Sequence, residues 1–179
     1  MTQITLAVTG SISAYKAADI TSKLTKLGLE VKVLMTPAAR KFITPLTLQV
    51  LSLHQVGLDV MIEDDPQRIE HIDIGKETDI FLVAPASANT IAKLAIGLAD
   101  NMVTSTALAL PQTTKKLLAP AMNTKMLEHP ATQRNLKLLQ DYGYQIIQPR
   151  EALLACGDKG SGALASVETI VETVKENCL

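Results

Sequence analysis

The stretch Ile4–Ser13, "ITLAVTGSIS", decides the fold. Its apolar half is too short for a helix and rich enough in β-branched residues for a buried strand. Glycine and hydroxyl residues then lead straight into a helical pattern. Ala17, Ile20, Leu24 and Leu27 recur at steps of three and four, which marks one helix face ending at Gly28. "VKVLM" (Val31–Met35) reads as the next strand, so the chain crosses from one strand to another through a helix. The same alternation continues through "IFLVA" (Ile80–Ala84), "KLLAP" (Lys116–Pro120) and "YQIIQ" (Tyr144–Gln148). Helical patterns separate them over Ser87 to about Leu98, Met102–Leu110 and Pro130–Tyr142, with Pro130 at a first turn and Gly143 at an end. Ser166 is placed to cap a last helix, with Glu168 in its first turn and Lys175 near its end. Strands spaced by helices imply crossovers, hence a mostly parallel sheet with helices on both faces. We expect a single doubly wound α/β domain over residues 1–179, of the flavodoxin- or Rossmann-like kind.

Composition narrows the function classes. The chain has 179 residues, 47% of them apolar, and a formal net charge of −1, so nothing in it attracts nucleic acid or anionic lipid. "MTQITLAVTG" lacks the charged and apolar regions of a secretion signal, and no apolar run is long enough to span a membrane. Two cysteines, Cys156 and Cys178, make no disulfide framework, which points to a reducing, cytoplasmic setting. No His/Cys cluster has metal-ligand spacing. Trp is absent, with two Phe and three Tyr, so a planar ligand would lie on aliphatic side chains and backbone.

Ligands of such sheets bind beyond the carboxyl ends of the strands. There the sequence places "TGSIS" (Thr9–Ser13), Thr36 in "MTPAA", "APASANT" (Ala84–Thr90) and "APAMN" (Ala119–Asn123). Backbone N–H groups and hydroxyls at Gly10–Ser13 suit an anion at a helix start, although an ordinary turn using Gly10 for its dihedral angles explains them as well. Neither the dinucleotide fingerprint nor a P-loop is present. Ser87, Asn89 and Thr90 crowd one helix start, where a single cap would suffice. Their surplus donors suit a phosphate or the edge of a heteroaromatic ring. Near the end of the chain, "LLACGDKGSGAL" (Leu153–Leu164) reads as a glycine-rich loop holding Cys156. Of three histidines, His54 and His129 read as packing or turn residues, while His71 stands beside Glu70 and Asp73 just before the third strand.

"GSISAYK", "PASANT", "PAMN" and "ACGDKGSG", in this order, resemble the homo-oligomeric flavin-containing cysteine decarboxylases, and "ACGD" resembles their coenzyme A branch. The resemblance implies bound FMN, with Gly10, Ser11, Ile12 and Thr36 along the cofactor. Ser87, Ala88, Asn89 and Thr90 would hold its phosphate and neighbouring groups, and Ala121 would lie near the ring. It implies a base at His71, a proton donor at Cys156, a carboxylate ligand at Asn123 and a contribution from Asn101, which as a helix-start residue reads equally well as a cap. Residues 153–164 would form a substrate clamp, with Leu153, Leu154 and Ala155 contacting the substrate. One departure is visible, because many relatives carry Arg after the last motif glycine, where this chain has Ala163.

The implied reaction converts 4′-phosphopantothenoylcysteine to 4′-phosphopantetheine in coenzyme A synthesis. The thiol would be oxidised to a thioaldehyde, CO2 lost, and the resulting ene-thiol re-reduced. The implied assembly is a homo-oligomer, a trimer or a set of trimers, with the enzyme that makes the substrate on a separate chain. Three other readings stay open: a peptidyl-cysteine decarboxylase, a flavin prenyltransferase, and a non-catalytic FMN-binding regulatory subunit.

Overall fold

In the computed structural model, which describes residues 2–63, 65–154, 157 and 159–178, the first strand is central to everything that follows. β1 (Gln3–Val8) pairs in parallel with β2 (Glu30–Met35) on one side and β3 (Ile80–Ala86) on the other. β4 (Lys115–Pro120) and β5 (Tyr144–Ile146) continue beyond β3, giving the order β2-β1-β3-β4-β5 with every pair parallel. The expected doubly wound α/β domain is the one found.

Helices make the crossovers. A 3₁₀ turn (Ile12–Lys16) and α1 (Ala17–Lys26) join β1 to β2. α2 (Pro45–Ser52) and α3 (Glu70–Glu77) precede β3, while α4 (Ala88–Ile96) and α5 (Met102–Leu108) follow it. α6 (Thr124–Glu128) and α7 (Pro130–Asp141) lead to β5, and α8 (Val167–Asn177) is the last helix described. Strand side chains alternate between two cores. Ile4, Leu6 and Val8 pack with Ile20 and Leu24 of α1 and Ile170 and Val174 of α8. Ala7, Phe81 and Val83 point the other way, toward Ile91, Met102 and Leu139. Both faces are therefore apolar, and β3, at the middle of the sheet, is buried along its whole length rather than alternating.

Boundaries shift slightly from the sequence pattern. α1 stops at Lys26 and leaves Leu27 exposed, and α5 stops at Leu108. β5 ends at Ile146, after which the Ile147 N–H still bonds Leu118 O at 2.8 Å. β2 has a partner that the periodicity does not announce. Its outer edge exchanges bonds with Gly57, from Met35 N to Gly57 O at 3.0 Å and from Gly57 N to Val33 O at 2.9 Å. The larger correction concerns Leu153–Leu164. The glycines at 160 and 162 lie in a strand rather than a loop, in an antiparallel hairpin of β6 (Arg150–Leu153) and β7 (Lys159–Ala163). Glycine is depleted in strands unless another backbone must come close. Here it must. A Cβ on Gly160 would lie 2.5 Å from Thr124 Oγ1, and one on Gly162 would lie 2.3 Å from Met122 O.

One buried hydroxyl ties the two central strand ends together. Thr9 Oγ1 donates to Pro85 O at 2.6 Å and accepts from Ser87 N at 2.9 Å. Replacing Thr9 by Val keeps the shape and gains the burial of one methyl group, about 1 kcal/mol. It strands a donor and an acceptor that each cost about 1–3 kcal/mol when left without partners. Thr9→Val is therefore expected to lower the unfolding free energy by about 1–5 kcal/mol. Urea denaturation against wild type measures this, and an unchanged midpoint would show that the bridge is dispensable.

Candidate active site

The sheet order reverses between β1 and β3, and that switch point opens a crevice beyond their carboxyl ends. Two adjoining cavities occupy it, of about 480 and 340 Å³. Together they fall in the range of small-molecule and cofactor sites. Gly10, Ser87, Ala88 and Met126 line both.

The first cavity runs under the hairpin. Of the residues singled out in the sequence, Ser11, Ile12, Ala121, Asn123, Leu153 and Leu154 line it in addition to the shared ones. Ser11 caps the 3₁₀ turn, accepting from Ser13 N at 3.3 Å. Ala121 is held against the β3 end by its N–H, which donates to Ala86 O at 3.1 Å. Asn123 caps α6, with Oδ1 accepting from Lys125 N at 2.9 Å, so the cap sets the amide's direction. The hairpin is fastened to this turn by Met122 N donating to Gly162 O at 2.9 Å and Thr124 Oγ1 donating to Ser161 O at 2.6 Å.

The second cavity takes Thr36, Asn89, Thr90 and Asn101. Ser87 is the cap of α4, its Oγ accepting from Thr90 N at 3.3 Å, and Thr90 is buried behind it. Asn101 closes a capping box with Thr104 at the start of α5, and its Nδ2 donates to Asp100 at 2.9 Å. The cap thus accounts for the oxygen end of its amide, and Asp100 takes one N–H of the other. Lys93 bonds Asp100 at 2.6 Å and holds that carboxyl below its usual range. Gly10 has another reason to be glycine than dihedral angles. Its φ is not positive, but a Cβ there would lie 2.6 Å from Ala38 Cβ, so it lets the β1 and β2 ends approach.

His71 is not brought to the crevice. It sits in the first turn of α3 and lines neither cavity, and its Nδ1 is buried with no partner among the described residues. His129 caps α7, with Nδ1 accepting from Ala131 N at 3.1 Å, and His54 lies 3.9 Å from Glu30. Cys156 and Ala155 lie outside the described residues. Sequence reasoning missed Lys16, Met126 and Arg150 in the cavity walls. Lys16 had a signal, as the last residue of "GSISAYK"; Arg150 stands in no periodic pattern.

The family model described as "Flavoprotein" matches residues 1–179. The chain is 62% identical over 174 residues to a probable phosphopantothenoylcysteine decarboxylase of Streptococcus mutans, covering 97% of each chain. It also matches longer bifunctional coenzyme A biosynthesis proteins, spanning only 42% of the one from Bacillus subtilis at 47% identity. Among solved structures, a PPC decarboxylase mutant complexed with pantothenoylaminoethenethiol superposes with a TM-score of 0.90 at 32% identity, over 98% of this chain and 97% of that one. The FMN binding protein AtHal3 superposes with a TM-score of 0.84 at 33% identity, over 98% and 95%.

The seating of the hairpin makes Gly162 a sensitive position. Its φ of 126° lies where side chains are strained, and the added carbon would meet Met122 O. Gly162→Ala is expected to cost about 1–3 kcal/mol of stability and to loosen the hairpin from the Asn123 turn. Hydrogen exchange at Met122 N–H would report this, and unchanged protection in a protein of wild-type stability would refute it.

Proposed function

The chain belongs to the flavoprotein family, and on that premise we propose that it is an FMN-dependent decarboxylase converting 4′-phosphopantothenoylcysteine to 4′-phosphopantetheine and CO2. The observation that carries the reading is the pair of adjoining cavities at the β1–β3 switch point, one rich in hydroxyl and amide groups, the other roofed by the hairpin. The two compartments divide the work between cofactor and substrate. Identity to the Streptococcus mutans relative over nearly the whole chain supports the substrate assignment.

The residues present fit FMN. The start of α4 offers first-turn N–H groups and the Ser87 and Thr90 hydroxyls to a phosphate, at the positive end of a helix. Gly10, Ala88 and Ala121 present little bulk, so a flat ring can lie on backbone. When bound there, FMN would supply a two-electron acceptor for oxidation of the substrate thiol and a donor for the later reduction, so the reaction would need no outside oxidant.

The chain's own groups bind, orient and move protons. Asn123, directed by its cap, holds the substrate carboxylate with a neutral amide. A cation there would stabilise the carboxylate in the ground state and oppose its loss. His71 accepts the thiol proton in the oxidative half. Because it lines neither cavity of its own subunit, a neighbouring copy has to carry it in. We therefore assign the protein to a closed homo-oligomer, a trimer or an assembly of trimers. Leu46, Val50 and Leu53, exposed at steps of four and three on one side of α2, support such an assembly. The hairpin with Leu153 and Leu154 serves as the substrate clamp, and Cys156 protonates the ene-thiol as it becomes the saturated product.

Splitting the two halves tests the reading. Purified protein should carry flavin colour and release CO2 anaerobically from phosphopantothenoylcysteine but not from a peptide ending in cysteine. His71→Asn should keep FMN yet lose at least about a hundredfold in both flavin reduction and CO2 release. Cys156→Ser should still release CO2 and accumulate a product two hydrogens lighter than phosphopantetheine by mass spectrometry. A colourless protein that cannot take up FMN would end the proposal. Ordinary phosphopantetheine at full rate from Cys156→Ser would remove the cysteine from it.

A further inference from the structure

Five of the described helices, α4 to α8, are opened by the side chain of the residue before them: Ser87, Asn101, Asn123, His129 and Ser166. α3 starts after Ile69, which has no side-chain acceptor to offer. Its cap comes from elsewhere. Glu70 N donates at 2.8 Å to Oε2 of Glu63, seven residues upstream. Ile69 O then accepts from Ile72 N and Asp73 N at 3.0 Å each, which closes the first turn. Arg68 lies along the same helix, with Nε donating to Asp73 Oδ2 at 3.0 Å and Nη2 3.6 Å from Glu77 Oε1. Lys32 of β2 meets Glu77 at 2.6 Å and ties this cluster to the sheet.

What these bonds hold is the turn that carries His71. Burial fastens only the second half of α3, where Ile74 and Gly75 are buried and a Cβ on Gly75 would lie 3.1 Å from Ala109 O. Glu70 to Asp73 are only half-buried, so packing alone leaves the first turn room to shift. The imidazole has no anchor of its own, since Nδ1 is buried without a partner among the described residues. A histidine base is ordinarily aimed by the bond that its other ring nitrogen makes. Here the aim has to come from the backbone. We propose that Glu63 and Arg68 are positioning residues for His71, holding the first turn of α3 so that the imidazole reaches the reacting thiol already oriented. The inference rests on His71 being the base in the decarboxylase reading above. A base carried in by a neighbouring copy makes the demand stricter, because the crevice it enters belongs to another subunit.

Two conservative replacements of Glu63 separate position from charge. Glu63→Gln keeps the reach and an acceptor oxygen but loses the charge. Glu63→Asp keeps the charge and, one methylene shorter, gives up the bond to Glu70 N. Hydrogen exchange at the Glu70 N–H should quicken at least about tenfold in Glu63→Asp and stay slow in Glu63→Gln. Anaerobic single-turnover reduction of the FMN-loaded protein by phosphopantothenoylcysteine reads the step in which His71 acts. Glu63→Asp should slow it about 10–100-fold, with KM within about twofold of wild type and full FMN content. Glu63→Gln should reduce flavin at close to the wild-type rate. Arg68→Ala should behave like Glu63→Asp, and Arg68→Lys should keep part of the rate, because one ammonium lacks the fork that spans two carboxylates. In a His71→Asn background Glu63→Asp should cost nothing further, since it acts only through the imidazole. Wild-type flavin reduction or wild-type exchange in Glu63→Asp would overturn the inference, and so would an undiminished penalty in the His71→Asn background. A rate lost in Glu63→Gln but kept in Glu63→Asp would also overturn it, because charge rather than position would then be acting. If His71→Asn itself reduced flavin at the wild-type rate, the base assignment would fall, an outcome that no Glu63 variant can imitate.

Discussion

Everything at the carboxyl end of the sheet depends on Thr9. Its hydroxyl is spent twice, on the carbonyl of Pro85 and the N–H of Ser87, residues 76 and 78 positions away. A parallel sheet fixes its strands by ladder bonds, but the ladder ends where the loops begin. Beyond that point single bonds, from side chains or from the backbone, have to hold one turn to another. Thr9 performs that task at the switch point, where the two turns must stay apart at the top and together at the base. The crevice is the space that this constraint leaves open.

Small residues then decide what can approach. Gly10 brings the β1 end against Ala38, and Gly160 and Gly162 bring β7 against the Met122–Thr124 turn. The site is therefore built from close approaches of glycine backbone to neighbouring segments rather than from large side chains. This suits a chain with 3% aromatic residues. Its polar groups are mostly helix caps: Ser87, Asn101 and Asn123 each spend one acceptor on a helix N-terminus. Capping gives these side chains a fixed direction at little entropic cost, which a free surface amide lacks.

The strands and most helices are legible in the sequence because burial on both faces and on one helical face leaves a strong apolar period. The clustering of Ser87, Ala88 and Gly10 at one crevice was also legible, since the strand-end rule applies to any sheet of this order. Three features were not. The β6–β7 hairpin is hidden because its sequence, "KGSGA" in one strand, contradicts strand propensity and is explained only by contact with Met122 and Thr124. The Gly10 requirement lies in a neighbour 28 positions on, at Ala38, which no local pattern records. The separation of His71 from the crevice is a matter of where α3 sits on the sheet. The periodicity of "EHIDIGKE" gives that helix a buried face and says nothing of its distance from β1.

The sheet's two rims set how copies of this chain can meet. β5 is only three residues long, and the outer side of β2 is bridged near its end, at Leu34, by Gly57. An open strand rim is a template onto which any other chain can add without limit. With one rim short and the other met by that segment near its end, helix surfaces are the faces left to a neighbouring copy, and their side chains recognise one orientation and one neighbour. Growth then stops when the rotation closes. Copies that met in this way would do so without the hazard of a fibre.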